Sequence, residues 1–340
     1  MAQEELKIFK EEHRKLASLE PLMSLVKTDL AHVNDIILER LQSPVTLIPE
    51  IAGYLIKSGG KRLRPVLTLA CAQLFGYQGE KAISLAASVE FIHTATLLHD
   101  DVVDESGLRR GQASANQLWG NQSSVLVGDF LFSRAFELMV EQESLPALKV
   151  LSKVSATIAQ GEVLQLLHIN DLAMTTEKYL EIVHAKTATL FEAAARIGAI
   201  IAQRTVEEEK NLQEFGHSLG MAFQLVDDVL DYTADEKTLG KAVGDDFREG
   251  KITLPVIHSY QESDVAEKKF WHRVMVTLTQ EEGDFKQAHA LLEKHQAFEK
   301  TLCLAQQYLQ KAKQALYTFP SSLIREALLE TCTFVVQRKN

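Results

Sequence analysis

Apolar residues recur at the spacing of an amphipathic helix over most of the chain. Between residues 21 and 40 they stand at Leu22, Leu25, Val26, Leu30, Val33, Ile36 and Ile37, a spacing that places them on one face of a helix. Residues 1–20 are predicted to form a charged helical lead. The same periodicity predicts helices over 65–75, 81–104, 125–143, 147–168, 176–203 and 206–232, and further helices over 252–340.

Residues that interrupt helices are scarce. The chain has 17 glycines and 7 prolines in 340 residues, and no proline stands between Pro146 and Pro255. Sandwiches, barrels and doubly wound sheets need turn residues at short, regular intervals. The sequence therefore predicts an all-α protein, with residues 1–340 as one domain. Its one long polar stretch, 233–251, is predicted to be a loop of functional length.

Charge and cysteine content exclude some classes of protein. The chain carries 36 basic and 46 acidic side chains, a formal charge of −10, whereas a nucleic-acid-binding protein needs a basic surface. Taken alone, this charge also argues against a polyanionic substrate. The widely spaced Cys71, Cys303 and Cys332 predict free thiols in a reducing compartment. The N-terminus is too charged for a signal peptide, and no apolar run of membrane-spanning length stands out. We therefore expect a cytoplasmic protein without a transmembrane segment.

Two aspartate motifs carry the strongest chemical signal. Both have the DDxxD spacing at the end of an apolar helical segment, and they are Asp100, Asp101, Asp104 and Asp227, Asp228, Asp231. Around a helix, the first and third carboxylates of each motif lie about 40° apart, and the second lies about 100° from the first. The carboxylates within such a motif repel one another, and their charge at a helix C-terminus opposes the helix dipole. Bound cations would offset this unfavourable electrostatic energy. Carboxylates without His or Cys favour Mg²⁺, whose coordination substrate phosphates complete. One such motif is often a solvated helix end, but two predict several Mg²⁺ ions around a diphosphate.

Basic side chains suited to phosphate oxygens stand near these motifs. Arg109 and Arg110 have a second interpretation, in which they only neutralise the first motif. Lys186 and Thr187 lie inside an apolar helix, where a buried ammonium without an anion would be costly. The other basic candidates are Lys57, Lys61, Arg62 and Arg64 in the 57–65 loop and Lys241 and Lys251 in the polar loop.

Two polar residues precede the motifs on the carboxylate side of their helices. His93 stands seven residues before Asp100, and Gln224 stands three residues before Asp227. Both spacings return to the same helix face. His93 alone is equally well explained as a core residue.

Seven segments together resemble the bacterial long-chain all-trans polyprenyl diphosphate synthases, of the octaprenyl and decaprenyl type. The resemblance extends from about residue 30 onward, in the family order. The segments are GGKRLRP (59–65), EFIHTATLLHDDVVDE (90–105), LRRG (108–111), KT (186–187), FQLVDDVLD (223–231), GK (240–241) and GKITLP (250–255).

This resemblance implies a fold and a reaction. The family fold is a helical bundle around a deep central cavity, normally a homodimer. An allylic diphosphate, here farnesyl diphosphate, ionises, and isopentenyl diphosphate attacks the carbocation head-to-tail. The product would be an octaprenyl to decaprenyl diphosphate for quinone side chains. The released diphosphate takes the proton, and the apolar product implies peripheral membrane contact at release.

The resemblance also implies residue roles. About three Mg²⁺ ions would be bound per active site, two by Asp100, Asp101 and Asp104 and one by Asp227, Asp228 and Asp231. Arg109, Lys186 and Lys241 would contact the allylic diphosphate, and Lys251 is a further substrate-binding candidate. Lys61, Arg64, His93 and Arg110 would bind isopentenyl diphosphate, while Thr187 and Gln224 would direct oxygens at the cation.

Product length in the family depends on the residues four and five positions before the first aspartate. These are Thr96 and Ala95, both too small to stop a growing chain early. Phe132, Phe136 and Met139 are candidates for a cavity floor, although simple core packing explains them as well.

Two other functions stay open at this point. A class I terpene cyclase shares the ionisation chemistry but usually lacks the second DDxxD motif and has no use for an isopentenyl diphosphate site. A length-setting subunit of a heteromeric synthase typically loses one aspartate motif, whereas this chain keeps both.

Overall fold

The protein is all-α, as predicted, apart from one short hairpin in the part of the chain that the structure describes. The structure, a computed structural model, describes residues 17–109, 111–233 and 244–337. The helices of the first half are α1 (Glu20–Leu25), α2 (Lys27–Arg40), α3 (Leu47–Lys57), α4 (Leu63–Gln73), α5 (Glu80–Val103), α6 (Ala115–Trp119), α7 (Asn121–Glu141) and α8 (Leu145–Leu167). Those of the second half are α9 (Thr176–Val183), α10 (Thr189–Ile201), α11 (Val206–Thr233), α12 (Asp245–Arg248), α13 (Leu254–Glu262), α14 (Val265–Trp271), α15 (Asp284–Lys294), α16 (Ala297–Tyr317) and α17 (Leu323–Gln337).

The structure corrects the predicted helices at three places. The helix predicted over 21–40 is interrupted at Val26, whose φ of −105° and ψ of 8° leave the helical region. Between residues 40 and 57, where no helix is predicted, the structure has α3, with Pro49 in its first turn, where its missing N–H has no helical partner to lose. Between the helices predicted over 81–104 and 125–143, it contains strand β1 (Leu108–Arg109), paired antiparallel with β2 (Gln112–Ala113).

A π-helical turn replaces regular α-helix within the segment predicted as one helix over 176–203. It spans His184–Ala188 and joins α9 to α10. A π turn accommodates one extra residue, and such turns are frequent at functional sites. This turn carries Lys186 and Thr187.

Only the end of the predicted charged lead falls within the described residues. Residues 1–16 lie outside them, and residues 17–19 are not helical, so the first described helix begins at Glu20.

Five helices contact one another in a ring at the centre of the molecule. α5 packs along α7, α7 on α8, α8 on α10, α10 on α4, and α4 again on α5. Outside this ring, α11 lies between α10 and α16. Buried apolar side chains from Leu19 to Val335 form one continuous core, so the helices share a single apolar interior.

Helix α5 lies in the centre of this packing. It alone among the described helices is long and apolar enough to cross a membrane, with a mean hydropathy of 1.2, and 72% of that stretch is buried inside the protein. A core helix of a folded protein has the same composition, which fits its contacts with α7, α4 and α10.

Two glycines allow the helices around the π turn to approach closely. A Cβ at Gly161 of α8 would lie 2.8 Å from Ala185 Cβ and 3.0 Å from Lys186 N. A Cβ at Gly220 of α11 would lie 2.7 Å from Ala188 Cα. Because neither position tolerates a side chain, the π turn is held between α8 and α11.

Candidate active site

Both aspartate motifs lie at helix C-termini, as predicted. Asp100 and Asp101 are in the last turn of α5 with Asp104 directly after it, and the second motif occupies the last two turns of α11. A pocket of about 140 Å³ lies beside the second motif. The predicted site residues that line it are Lys186, Thr187, Gln224, Asp228 and Lys251.

The middle aspartate of each motif is buried. Asp101 is 0% and Asp228 1% exposed, whereas Asp100 and Asp104 retain partial exposure. This difference follows from the helical rotation, which turns the middle carboxylate away from the other two. The two middle aspartates therefore have protein environments of their own.

Arg109 binds the buried Asp101. Its Nε donates to Asp101 Oδ1 at 2.7 Å, and its Nη2 lies 2.6 Å from the same oxygen. Asp101 Oδ2 is buried and has no hydrogen-bond partner within the described part of the chain. In this structure Arg109 is thus paired with one of the three carboxylates of the first motif, which is compatible with both interpretations that the sequence left open.

Asp228 terminates a chain of hydrogen bonds. Tyr179 OH donates to Asp228 Oδ2, and Gln224 Nε2 donates to Asp228 Oδ1 at 3.0 Å. The Gln224 carbonyl oxygen in turn accepts from Thr187 Oγ1 at 2.9 Å. Burial, together with the nearby charge of Asp246, raises the pKa of Asp228 to about 8, although its hydrogen bonds act in the opposite direction.

Lys186 forms an ion pair that the sequence did not predict. Its Nζ lies 2.8 Å from Glu162 Oε2 of α8, which supplies the anion that the buried ammonium needs. Burial raises the pKa of Glu162 to about 7 in spite of this pair. Burial alone would lower the pKa of Lys186, but the carboxylates of Asp100 and Glu162 outweigh it and raise that pKa.

Burial also acts on the first motif. It raises the pKa of Asp100, and the neighbouring Asp104 adds to this, while Lys186 opposes it. Close carboxylates in a poorly solvated site favour the protonated form when no cation balances them.

Lys251 connects the polar loop to the first motif. Its Nζ lies 3.2 Å from Asp104 Oδ2 and 2.6 Å from Glu249 Oε2. Burial acts to lower the pKa of Lys251, but Asp246, Asp104 and Glu249 raise it well above its usual range. Lys186 and Lys251 therefore place two positive charges among the carboxylates of the two motifs.

Asp231 forms hydrogen bonds with the backbone of the segment that begins at Gly244. Its backbone carbonyl accepts from Gly244 N at 2.8 Å, and its Oδ2 accepts from Asp246 N at 3.1 Å. These bonds hold the start of α12 against the end of α11.

The residues expected to bind isopentenyl diphosphate are partly brought together. Arg64 Nη1 lies 3.1 Å from His93 Nε2, and its guanidinium carbon lies 4.4 Å from the centre of the Phe191 ring. Lys61 is exposed, and its Nζ lies 5.0 Å from the centre of the Phe334 ring of α17. The predicted Arg110 and Lys241 lie outside the described residues.

The residues expected to set product length have different environments. Ala95 is fully buried in α5, and Thr96 Oγ1 donates to the His93 carbonyl at 2.7 Å. Of the floor candidates, Met139 is in the core, and Phe132 stacks on His99 with ring centres 6.0 Å apart. Phe136 of α7 is 36% exposed.

Three residues at the site were missed by the sequence analysis. Glu162 had a signal, because a carboxylate flanked by Gly161 and Val163 in an apolar helix needs a partner. Tyr179 stands at a position of its predicted helix that is typical of an apolar core residue. Asp246 lies in the predicted polar loop, where an acidic residue gives no signal of its own.

Comparison with known proteins covers nearly the whole chain. The family model described as polyprenyl synthetase matches residues 45–292. Octaprenyl diphosphate synthase of Escherichia coli is 46% identical over 94% of this chain and 99% of that protein.

Two solved structures are also similar. The crystal structure of a polyprenyl synthase from Caulobacter crescentus, complexed with calcium and isoprenyl diphosphate, superposes with a TM-score of 0.93 at 51% identity, over 96% of this chain and all of that one. A decaprenyl diphosphate synthase from Rhodobacter capsulatus superposes with a TM-score of 0.91 at 47% identity, over 95% of this chain and 100% of that one.

Proposed function

Because the chain belongs to the polyprenyl synthetase family, we propose that it condenses isopentenyl diphosphate head-to-tail onto an allylic diphosphate, farnesyl diphosphate. The enzyme is a long-chain trans-prenyltransferase, and the proposed product is an octaprenyl to decaprenyl diphosphate for quinone side chains. One observation carries the proposal: Lys186 and Lys251 line the pocket beside Asp228 of the second motif and also act on Asp100 and Asp104 of the first.

The donor set of the two motifs fits Mg²⁺. Asp101 Oδ2 is a buried acceptor without a hydrogen-bond partner among the described residues, and the pKa of Asp100 and that of Asp228 are raised mainly by burial. The raised pKa values mark carboxylates that lack a compensating cation, and Asp101 Oδ2 remains an acceptor for one although Arg109 binds the other oxygen. When bound, about three Mg²⁺ ions would neutralise the diphosphate and the negative charge that develops as it leaves.

We assign different roles to the outer and the middle aspartates. Asp100, Asp104, Asp227 and Asp231 would hold the metal, because they are the first and third members of each motif and share a helix face. Asp101 and Asp228 complete the two metal-binding motifs, and their side chains are oriented by Arg109 in the first motif and by Tyr179 and Gln224 in the second.

The basic residues bind and orient the allylic diphosphate. When the substrate binds, Lys186 leaves its ion pair with Glu162 and binds the diphosphate instead. Arg109, next to Asp101, and Lys251, next to Asp104, supply further hydrogen-bond donors. Such preorganised charge stabilises the leaving diphosphate as the carbon–oxygen bond breaks. Lys241 is assigned the same role by resemblance alone.

Neutral oxygens stand next to the place where the carbocation forms. Thr187 and Gln224 line the pocket, and their dipoles stabilise positive charge without acting as nucleophiles. The apolar pocket walls formed by Met174, Ile182, Val183 and Ile252 exclude water, which would otherwise quench the cation.

The second diphosphate binds without a metal. Arg64 and His93 already lie in contact, and together with Lys61 and Arg110 they are assigned to the diphosphate of isopentenyl diphosphate. Arg64 keeps its guanidinium plane over Phe191, a contact that orients a cation without neutralising it.

The enzyme is proposed to act as a homodimer. Apolar side chains exposed in the single chain are concentrated on α7 and α8, and an apolar surface of this kind marks an interface. They are Val125, Leu126, Phe136 and Val140 on α7 and Leu145, Val163, Leu166 and Leu167 on α8.

The chain is proposed to be one domain that works in the cytoplasm. The continuous apolar core supports a single domain. The free Cys71, Cys303 and Cys332 support a reducing compartment. Release of the apolar product is proposed to involve peripheral contact with a membrane surface.

Product analysis tests this function. The protein is incubated with farnesyl diphosphate, radiolabelled isopentenyl diphosphate and Mg²⁺, and the dephosphorylated products are sized by reversed-phase chromatography. We expect octaprenyl to decaprenyl alcohols. Cyclic hydrocarbons would instead establish a terpene cyclase, and elongation only after addition of a second protein would establish a length-setting subunit.

A further inference from the structure

A cluster of two histidines and one glutamate lies apart from the aspartate motifs. His184 is in the π turn, Glu192 in α10 and His217 in α11. His184 Nδ1 lies 3.1 Å from His217 Nδ1, and Glu192 Oε2 lies 3.9 Å from the same nitrogen. One ligand atom from each residue falls within 4.8 Å of the other two.

The local fold brings these side chains together. A Cβ at Gly216 would lie 2.5 Å from the Phe191 carbonyl oxygen and 2.8 Å from Glu192 Cα. The missing side chain therefore lets α11 pack directly on α10, and the next residue, His217, reaches Glu192. The π turn brings His184 to the same place.

The separations suit a single metal ion. Two nitrogens each about 2.0–2.1 Å from a tetrahedral Zn²⁺ lie roughly 3.3 Å apart, close to the 3.1 Å found between the two Nδ1 atoms. Burial, together with nearby His184, lowers the pKa of His217. Its imidazole is therefore neutral near pH 7, which is the form that binds metals.

Glu192 is prepared as the third ligand. Gln213 Nε2 donates to Glu192 Oε1 at 2.7 Å, which leaves Oε2 directed toward the histidines. A hydrogen bond of this kind is typical of the residues that orient metal ligands. The Glu192 carboxyl group retains partial exposure, with 18% of its side chain accessible, so an ion can enter from solvent.

The ligand set selects the class of ion. Two imidazole nitrogens and one carboxylate oxygen lack the several carboxylates on which Mg²⁺ and Ca²⁺ rely. Imidazole ligands instead favour Zn²⁺ and the neighbouring transition metals.

We propose that His184, Glu192 and His217 bind one transition-metal ion of the zinc class, with water completing the coordination. The ion would join the π turn to α10 and α11. It is distinct from the metal ions assigned to the aspartate motifs, and its binding does not depend on the proposed reaction.

Binding of Co²⁺ to the full chain, in excess Mg²⁺ to occupy the aspartate motifs, tests the proposal. We expect one Co²⁺ per chain, with the intense visible absorption of a four-coordinate ion that Zn²⁺ then displaces. His184→Ala, His217→Ala and Glu192→Gln should each weaken binding by more than tenfold, and Gln213→Ala by about tenfold. His32→Ala, on the exposed face of α2, is the matched control and should bind as the parent protein does.

The proposal is overturned if His217→Ala binds Co²⁺ like the parent, or if Asp100→Asn abolishes the absorption while His217→Ala does not. Electron paramagnetic resonance of Cu²⁺ bound to the parent protein needs no variant. Superhyperfine coupling to two imidazole nitrogens supports the proposal, and coordination by oxygen alone contradicts it, even if the histidine variants fold poorly.

Discussion

Asp228 is a carboxylic acid whose surroundings favour a retained proton. It is 1% exposed, and burial raises its pKa to about 8, against about 3.9 for an unperturbed aspartate. Between these two values the folded chain binds more protons at this position than the unfolded chain. The contribution of Asp228 to stability should therefore fall as pH rises from about 4 to about 8, by at most about 1.4 kcal/mol per pH unit.

Asp228→Asn tests this ionisation. In EDTA, the melting temperature of the parent protein should fall between pH 6 and pH 8.5 more steeply than that of the variant, because the amide cannot ionise. The Asn amide group can also bond to both Tyr179 and Gln224. Equal slopes for the two proteins would show that Asp228 is already ionised in the folded state. Saturating Mg²⁺ should flatten the parent slope.

Removal of an outer aspartate should abolish most turnover. Asp100→Ala or Asp227→Ala is expected to lower the condensation rate by about 10²- to 10³-fold, measured by incorporation of labelled isopentenyl diphosphate at saturating Mg²⁺. Asp35→Ala, at an exposed position of α2, is the control for loss of a surface carboxylate. Near-normal turnover of Asp100→Ala would refute the metal assignment.

At the residue scale, the sequence indicated the aspartates, Lys186 and Lys251 at the site but missed Glu162, Asp246 and Tyr179. The aspartates, Lys186 and Lys251 stood out because charge in or beside an apolar helix is costly without a partner. Tyr179 gave no such signal, since a tyrosine at an apolar position suits a core equally well. Its partner Asp228 is 49 residues away in the chain, and only the fold brings the two together.

Elements around the π turn depend on close backbone contact. Gly161→Ala should place a methyl group 2.8 Å from Ala185 Cβ, which displaces the turn that carries Lys186. We expect a loss of about 1–3 kcal/mol in stability and a higher KM for the allylic diphosphate.

Gly53→Ala in α3 is the matched control, because nothing lies within 4 Å of its Cβ. It should instead stabilise the protein by about 0.5–1 kcal/mol. An unchanged KM for Gly161→Ala, in a protein shown to be folded by circular dichroism, would show that α8 does not position Lys186.

Helix α5 is expected to guide the growing chain. Ala95→Phe should shorten the product to about geranylgeranyl diphosphate or less with measurable turnover, because the ring would block the path that the family resemblance assigns to the growing chain. Ala87→Phe, at a fully buried alanine further from the motif on the same helix, serves as the comparison for general core disruption. An unchanged product length for Ala95→Phe would mean that the tail does not pass this side of α5.

At the element scale, periodicity located the long helices but not their irregularities. The helix predicted over 81–104 spans Glu80–Val103 in the structure, and that over 206–232 spans Val206–Thr233. The π turn was not predictable, because its bonding pattern depends on packing between α8 and α11 rather than on residue type. The small hairpin around Gly111 contains no hydrophobic alternation for a sequence pattern to detect.

At the scale of the whole molecule, exposed apolar side chains on α7 and α8 are proposed to form the dimer interface. Leu126 of α7 is 67% exposed, and the proposed dimer would cover it. Leu126→Glu should therefore yield a monomer by light scattering after gel filtration, because a carboxylate would be buried against its own copy. Leu38→Glu, on a 49% exposed residue of α2, should remain dimeric. A dimeric Leu126→Glu protein would exclude this face.

The net charge of −10 gave a misleading indication of the substrate. Six acidic residues stand in the two motifs, where cations are proposed to bind, and the basic residues nearest to them are placed individually by Glu162, Asp104 and Asp101. Overall charge describes solubility and long-range attraction, whereas the binding of a diphosphate depends on these local arrangements. The paired motifs and the family resemblance, rather than composition, indicated a diphosphate substrate.

The extra residue of the π turn has a consequence for how this chain can change. Deleting one residue from 184–188 would restore regular helical bonding and leave α9 and α10 in register, because the wider turn already absorbs the extra residue. The side chains within the turn would change direction, so Lys186 and Thr187 could not both keep their contacts with Glu162 and Gln224. Single-residue deletions that a surface loop absorbs should therefore be selected against here, and substitutions remain the only small steps open to this segment.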